Sequence, residues 1–127
     1  MEFPSPFPHA DALVVDDHPY IGLVASTLLR ELGIESVAYA RNGLEARRFL
    51  KAASRPTKLI LCDLCMPEED GLVFLRWLAA QDIRPSVALM TGEDPLLLAT
   101  VRGLGERNDL DIVGILEKPL SIATLKV

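Results

Sequence analysis

From Asp11 onward the chain alternates between short apolar runs and segments in which apolar residues recur every three or four positions. The runs Ala12–Asp16, Ser36–Tyr39, Lys58–Asp63, Ser86–Thr91 and Ile112–Leu116 have the length of strands, and several are apolar at successive rather than alternate positions. Such strands are covered on both faces, as in a parallel sheet flanked by helices. Between them, Ile21, Val24, Leu28 and Leu32 share one helical face, as do Ala46, Phe49, Leu50 and Ala53, and Leu72, Leu75, Leu78 and Ala79. A fourth helix is predicted to open at Asp94-Pro95, an acidic cap with proline in the first turn, and to run through Leu96–Val101. That segment is apolar on more than one face, which leaves one face for a partner. The alternation predicts a parallel α/β domain, with no internal repeat of solenoid type.

The two ends stand outside this rhythm. Residues 1–10 interleave Pro4, Pro6 and Pro8 with Phe3 and Phe7, a spacing that forbids helix and favours an extended tail, so the domain is expected over residues 11–127. A fifth helix is expected from Leu120 or Ser121, but the sequence stops at Val127 after about two turns, too few to be stable alone. The expectation is a last helix cut short, with a further domain beyond it or a trimmed end.

Composition narrows the function classes. A length of 127 residues suits one domain, and 50% apolar with 24% charged residues excludes a disordered tail. The net charge of −5 argues against direct nucleic-acid binding. No apolar run approaches the roughly 20 residues that span a bilayer, and no signal peptide opens the chain, so no membrane association is expected. Two cysteines are too few for a disulfide framework, and the reading is cytoplasmic.

In an open parallel sheet the functional groups lie past the carboxyl ends of the strands. Here those ends carry Asp16-Asp17, Asp63, Thr91 and, after the fifth run, Lys118-Pro119. Crowded carboxylates repel one another unless a cation neutralises them, and hard oxygen donors suit Mg²⁺. A lysine and a threonine hydroxyl beside them suit phosphoryl oxygens, and a carboxylate can take a phosphoryl group as an acyl phosphate. Asp63 is the central candidate for that nucleophile.

Plainer roles stand beside these. Asp16-Asp17 could be a solvated corner capping the helix at Pro19, and Thr91 could cap the fourth helix, although Asp94 already fills that position. Cys62 and Cys65 form a Cys-x-x-Cys, but Cys62 falls inside a buried strand, which favours structural cysteines over redox chemistry. Zinc would need two further ligands, and His9 and His18 lack a matching spacing. His18 reads as a surface loop residue, with tuning of the metal site as its alternative role, and Trp77 reads as packing.

Four motifs in order, Leu13-Val14-Val15-Asp16-Asp17, Asp63-Leu64-Cys65-Met66-Pro67 with Asp70-Gly71, Met90-Thr91-Gly92 and Glu117-Lys118-Pro119-Leu120, resemble the receiver domain of two-component response regulators. The resemblance covers residues 11–127. It implies a flavodoxin-like (βα)5 three-layer sandwich with a five-stranded parallel sheet of order 2-1-3-4-5, its last helix truncated here. It also implies that Asp63 is the phosphoacceptor, Asp17 a direct Mg²⁺ ligand, Asp16 a ligand mainly through metal-bound water, and the Cys65 backbone carbonyl a further ligand. Thr91 would supply the switch hydroxyl, Gly92 a backbone amide and Lys118 an ammonium to the phosphoryl group. The implied partners are a histidine kinase or phosphotransfer protein and an output domain C-terminal to this segment; the apolar fourth-helix surface leaves open a homodimer across the fourth-helix and fifth-strand face or packing between domains.

The sequence departs from the family pattern in places. Ile115 occupies the position of the usual switch aromatic, three residues before Lys118, and the positions that modulate phosphoryl hydrolysis are Cys65 and Glu93. The lengthened segment around Gly103–Asp109, the Asp16-Asp17-His18-Pro19 opening and the apolar run Pro95–Val101 are similar to receivers attached to EAL-type cyclic-di-GMP phosphodiesterases. The Asp-Asp-His-Pro opening also occurs in receivers of helix-turn-helix DNA-binding regulators. A phosphatase of the haloacid dehalogenase type would need a second Asp at position 65, where this chain has Cys65. A receiver-like interaction module that works without phosphate is the remaining alternative.

Overall fold

The computed structural model describes residues 10–53, 55–64, 66, 71–91, 103, 110–117 and 120–121. The elements run β1 (Ala12–Val15), α1 (Pro19–Glu31), β2 (Val37–Ala40), α2 (Gly43–Ala52), β3 (Leu59–Asp63), α3 (Gly71–Ala79), β4 (Ser86–Thr91) and β5 (Asp111–Glu117). All neighbouring strands pair in parallel, in the order β2-β1-β3-β4-β5. This is the expected topology, and β4 begins and ends where the apolar run does. The fourth helix expected over Asp94–Val101 and residues 1–9 of the expected tail lie outside the described residues, as does the expected fifth helix beyond Leu120 and Ser121, which are described and not helical. Ala10, the last tail residue, is buried. Among the described residues no helix is long and apolar enough to cross a membrane.

Successive strand residues point to opposite faces, so each central strand feeds two cores. Leu13, Val15, Ile60, Cys62, Val87 and Leu89 pack with Ala46, Phe74, Leu75 and Leu78 from α2 and α3. Ala12, Val14, Leu61, Ala88 and Met90 pack on the other side against Ala25 and Leu29 of α1. The sheet is thus the middle of three layers, which explains why β1 and β3 read as unbroken apolar runs. Trp77 extends the first core: it is half-buried, stacks on Phe74 at 6.0 Å between ring centroids, and lies beneath the cations of Arg47 and Lys51. It packs, as expected.

Helix α1 differs from the expected stripe. Its buried residues are Gly22, Ala25, Ser26 and Leu29, while Val24, Leu28 and Leu32 are only half-buried. Small residues let the helix approach β1 and β2 closely, and the Ser26 hydroxyl meets its own need by donating to the Gly22 carbonyl at 2.7 Å. A pattern of large apolar residues does not register such a face. The helix ends in a Schellman turn, with the Gly33 amide donating to Arg30 O and the Ile34 amide to Leu29 O. Gly33 has φ 100°, the left-handed conformation this turn requires.

Helix α2 opens on a cap. Asn42 Oδ1 accepts from the Glu45 amide at 2.8 Å, and Glu45 reaches back to accept from the Arg41 amide at 2.9 Å. Strand β5 carries an irregularity. Val87 pairs with Ile112 but Ala88 pairs with Gly114, which leaves Val113 as an extra residue, 55% exposed. The bulge turns Ile115 to the same side as Ile112, and both pack against the core shared with α2 and α3. Ile115, at the position where the resemblance implies an aromatic, is therefore held partly buried against that core at the sheet edge.

Candidate metal and phosphoryl site

The parallel order brings the carboxyl ends of β1, β3 and β4 side by side. Asp16 follows β1, Asp63 closes β3 beside Met90 of β4, and Thr91 ends β4 in backbone register with Glu117. Asp16 is 0% and Asp63 1% exposed, and the Asp17 side chain is 26% exposed, so the cluster has a buried floor and one open flank. One ligand atom from each of Asp16, Asp17, His18 and Asp63 lies within 4.8 Å of all the others. Of the residues expected here, Asp16, Asp17 and Asp63 are brought together. Cys65, Gly92 and Lys118 lie outside the described residues, as does the Thr91 side chain.

Backbone contacts fix the two buried carboxylates. The Asp16 amide donates to Ala40 O at 3.1 Å, which carries the β1–β2 ladder one residue past the strand. The Asp16 carbonyl accepts from the Tyr39 hydroxyl at 2.6 Å. Burial, and then the charges of Asp16, Asp17 and Glu45, push the Tyr39 phenol above its ordinary range, against a smaller opposing effect of Arg41. The phenol therefore keeps its proton at neutral pH and remains a donor. Its ring abuts Gly22, where a Cβ would collide with it.

Asp63 is held from the other side. The Leu64 amide donates to Met90 O at 3.2 Å, and the buried Cys62 thiol donates to Asp63 O at 3.4 Å. A Cβ at Gly71, the first residue of α3, would collide with that same Asp63 carbonyl oxygen. Cys62 is wholly buried within β3, the structural position expected of it.

His18 is on the surface, as expected, but it is turned onto the cluster. Its Nδ1 stands 3.1 Å from Asp17 Oδ1 and 3.4 Å from Asp16 Oδ1, and its amide donates to Asp16 Oδ1 at 2.8 Å. Tyr39 went unnoticed in the sequence because its role comes from the β1–β2 register, which sets Val14 against Tyr39. An aromatic hydroxyl at the end of the strand beside β1 is the one linear signal that could have found it.

The donor set fits a hard divalent cation. Three carboxylates within reach of one another, two of them buried, repel strongly in a low-dielectric pocket, and a cation among them removes that cost. Oxygen donors with an open flank for water suit Mg²⁺, which retains part of its hydration shell.

Residues 12–127 match the family described as response regulator receiver domain. The cyclic di-GMP phosphodiesterase RocR of Pseudomonas aeruginosa is 34% identical over 112 residues, which cover 88% of this chain and 28% of RocR. BvgA of Bordetella pertussis, named as a transcription regulator, is 28% identical over 87 residues, which cover 68% of this chain and 41% of BvgA. The crystal structure of the Vibrio cholerae chemotaxis protein CheY4 superposes with a TM-score of 0.75 at 26% identity, covering 93% of each chain. The chain thus spans less than half the length of these two curated relatives.

Proposed function

This chain belongs to the response regulator receiver family, and from that premise we propose that Asp63 is the phosphoacceptor through which it signals. The observation that carries the reading is the convergence of Asp16, Asp17 and Asp63 at adjacent strand ends, with ligand atoms within 4.8 Å. A carboxylate oxygen of Asp63 attacks the phosphorus of a phosphohistidine on a histidine kinase or phosphotransfer protein. The P–N bond breaks, a P–O bond forms, and the product is an acyl phosphate on Asp63.

Asp17 would hold Mg²⁺ directly, Asp16 through a water, and Asp63 and the Cys65 carbonyl would complete the protein's ligands. When bound, the metal supplies positive charge that offsets the equatorial oxygens of the transferring group. Buried Asp16 and its Tyr39 contact keep the ligands in place before the phosphoryl group arrives, which spares reorganisation during transfer. The Thr91 hydroxyl, the Gly92 amide and the Lys118 ammonium then bind the phosphoryl oxygens. Differential contact of these groups with the two states is what biases the fourth-helix and β5 surface, the face offered to a second copy.

A receiver is a signalling domain, and the activity proposed for this one to govern resides in an output domain C-terminal to it. The likeness to RocR supports a cyclic di-GMP phosphodiesterase as that output. The likeness to BvgA supports the second reading, a DNA-binding regulator. In either case this domain works in the cytoplasm and itself touches neither nucleic acid nor membrane.

The test is intact mass after incubation with acetyl phosphate, with and without Mg²⁺, for wild type and Asp63→Asn. One phosphoryl adduct that needs both Mg²⁺ and Asp63 is expected. An adduct of equal yield in Asp63→Asn would overturn the assignment.

A further inference from the structure

His18 takes no part in the chemistry assigned to Asp16, Asp17 and Asp63, yet its ring stands against them. It is the N-cap residue of α1, a position where Ser, Thr, Asp or Asn would turn an oxygen onto the first-turn amides. The imidazole makes no capping bond, and the residue after it is Pro19, which has no amide hydrogen to offer. The ring, 67% exposed, places Nδ1 at 3.1 Å from Asp17 Oδ1 and 3.4 Å from Asp16 Oδ1. Its backbone amide is tied to Asp16 Oδ1 at 2.8 Å, so the ring has a fixed anchor beside the cluster.

These separations have a meaning for a metal. Adjacent donors of an octahedral cation with bonds of about 2.1 Å stand about 3.0 Å apart. Nδ1 meets Asp17 Oδ1, the carboxylate assigned to the metal directly, at close to that spacing, and one ring nitrogen of His18 shares the 4.8 Å cluster with Asp16, Asp17 and Asp63. We propose that His18 Nδ1 is a direct ligand of the divalent cation held by this cluster, and that it biases the site toward transition metals such as Mn²⁺ relative to Mg²⁺. An imidazole nitrogen is a softer donor than a carboxylate or carbonyl oxygen; it suits first-row transition metals and adds little for Mg²⁺. Ligation uses the Nδ1 lone pair, so the neutral ring carries its proton on Nε2. The inference rests on the metal-binding reading of Asp16, Asp17 and Asp63 given above.

The test is electron spin-echo spectroscopy of Mn²⁺ added to the whole chain, together with Mn²⁺ titration and Mg²⁺ competition. Directly bound imidazole gives ¹⁴N modulation on the Mn²⁺ echo. Wild type is expected to show it, and His18→Ala to lose it while still binding Mn²⁺ about tenfold more weakly. Mg²⁺ affinity is expected to change far less, so that the Mn²⁺ to Mg²⁺ preference collapses. The sequence holds only one other histidine, His9, so modulation that persists in His18→Ala would come from elsewhere and overturn the proposal. Mn²⁺ bound without ¹⁴N modulation in wild type, and lost in Asp63→Asn, would overturn the role of His18 and leave the carboxylate site standing. No Mn²⁺ or Mg²⁺ binding at all would overturn both.

Discussion

A methyl group at position 71 would collide with the Asp63 carbonyl oxygen and come 2.8 Å from Leu64 Cα, both of them backbone atoms with little freedom to yield. The start of α3 therefore lies directly on the strand end that carries Asp63, and only glycine permits that approach. Gly71→Ala is expected to destabilise the fold by about 1–3 kcal/mol, the usual cost of overpacking, and to slow phosphorylation by shifting Asp63. Urea unfolding and adduct formation over time check the two effects, and an unchanged rate would show that Asp63 does not depend on this contact. At this scale Asp16, Asp17 and Asp63 were legible because each ends an apolar run. The supporting residues were less so. Gly71 stood in a motif, but its reason is a contact, and Tyr39 and His18 acquire their roles from strand register and from the direction of a cap residue's side chain.

The opening of α2 is the element whose energetics are most directly readable. Asn42 caps the helix through the Glu45 amide, and Glu45 accepts from the Arg41 amide at 2.9 Å and pairs with the Arg41 guanidinium at 2.9 Å. The Arg41 amide first, and then its side chain, hold the Glu45 carboxyl below its ordinary range. A carboxyl depressed on folding stabilises the native state above its unfolded pKa, near 4.3, and loses that contribution as pH falls through the folded value. Asn42→Ala is expected to cost about 1 kcal/mol at neutral pH. Glu45→Gln is expected to be destabilising at neutral pH, by an amount that shrinks as the solution is acidified below pH 4.3. Denaturant unfolding across that range checks both, and a wild-type to Glu45→Gln difference that grew on acidification would contradict the sign. Helix existence was legible here from the apolar spacing. The facing of α1 was not, because its contact residues Gly22, Ala25 and Ser26 carry little hydrophobic signal. Nor was the β5 bulge, which puts Ile112 and Ile115 on one side and depends on pairing with β4.

Across the whole molecule, parallel pairing in the order β2-β1-β3-β4-β5 sets the ends of β1 and β3 next to each other, and two separate cores clamp the sheet from both faces. The rigid interior and the reactive edge thus follow from the same alternation of side chains, and the strands were legible because burial on both faces leaves continuous apolar runs. The central claim is chemical: the carboxylate at the end of β3 takes up the phosphoryl group. It is tested most directly by phosphorylating the chain in Mg²⁺, reducing the acyl phosphate with borohydride, and locating the modified residue by tandem mass spectrometry of peptides. Reduction of an aspartyl phosphate leaves homoserine, and the account predicts homoserine at position 63 and at no other aspartate. Homoserine at position 16 or 17 with Asp63 intact would contradict it.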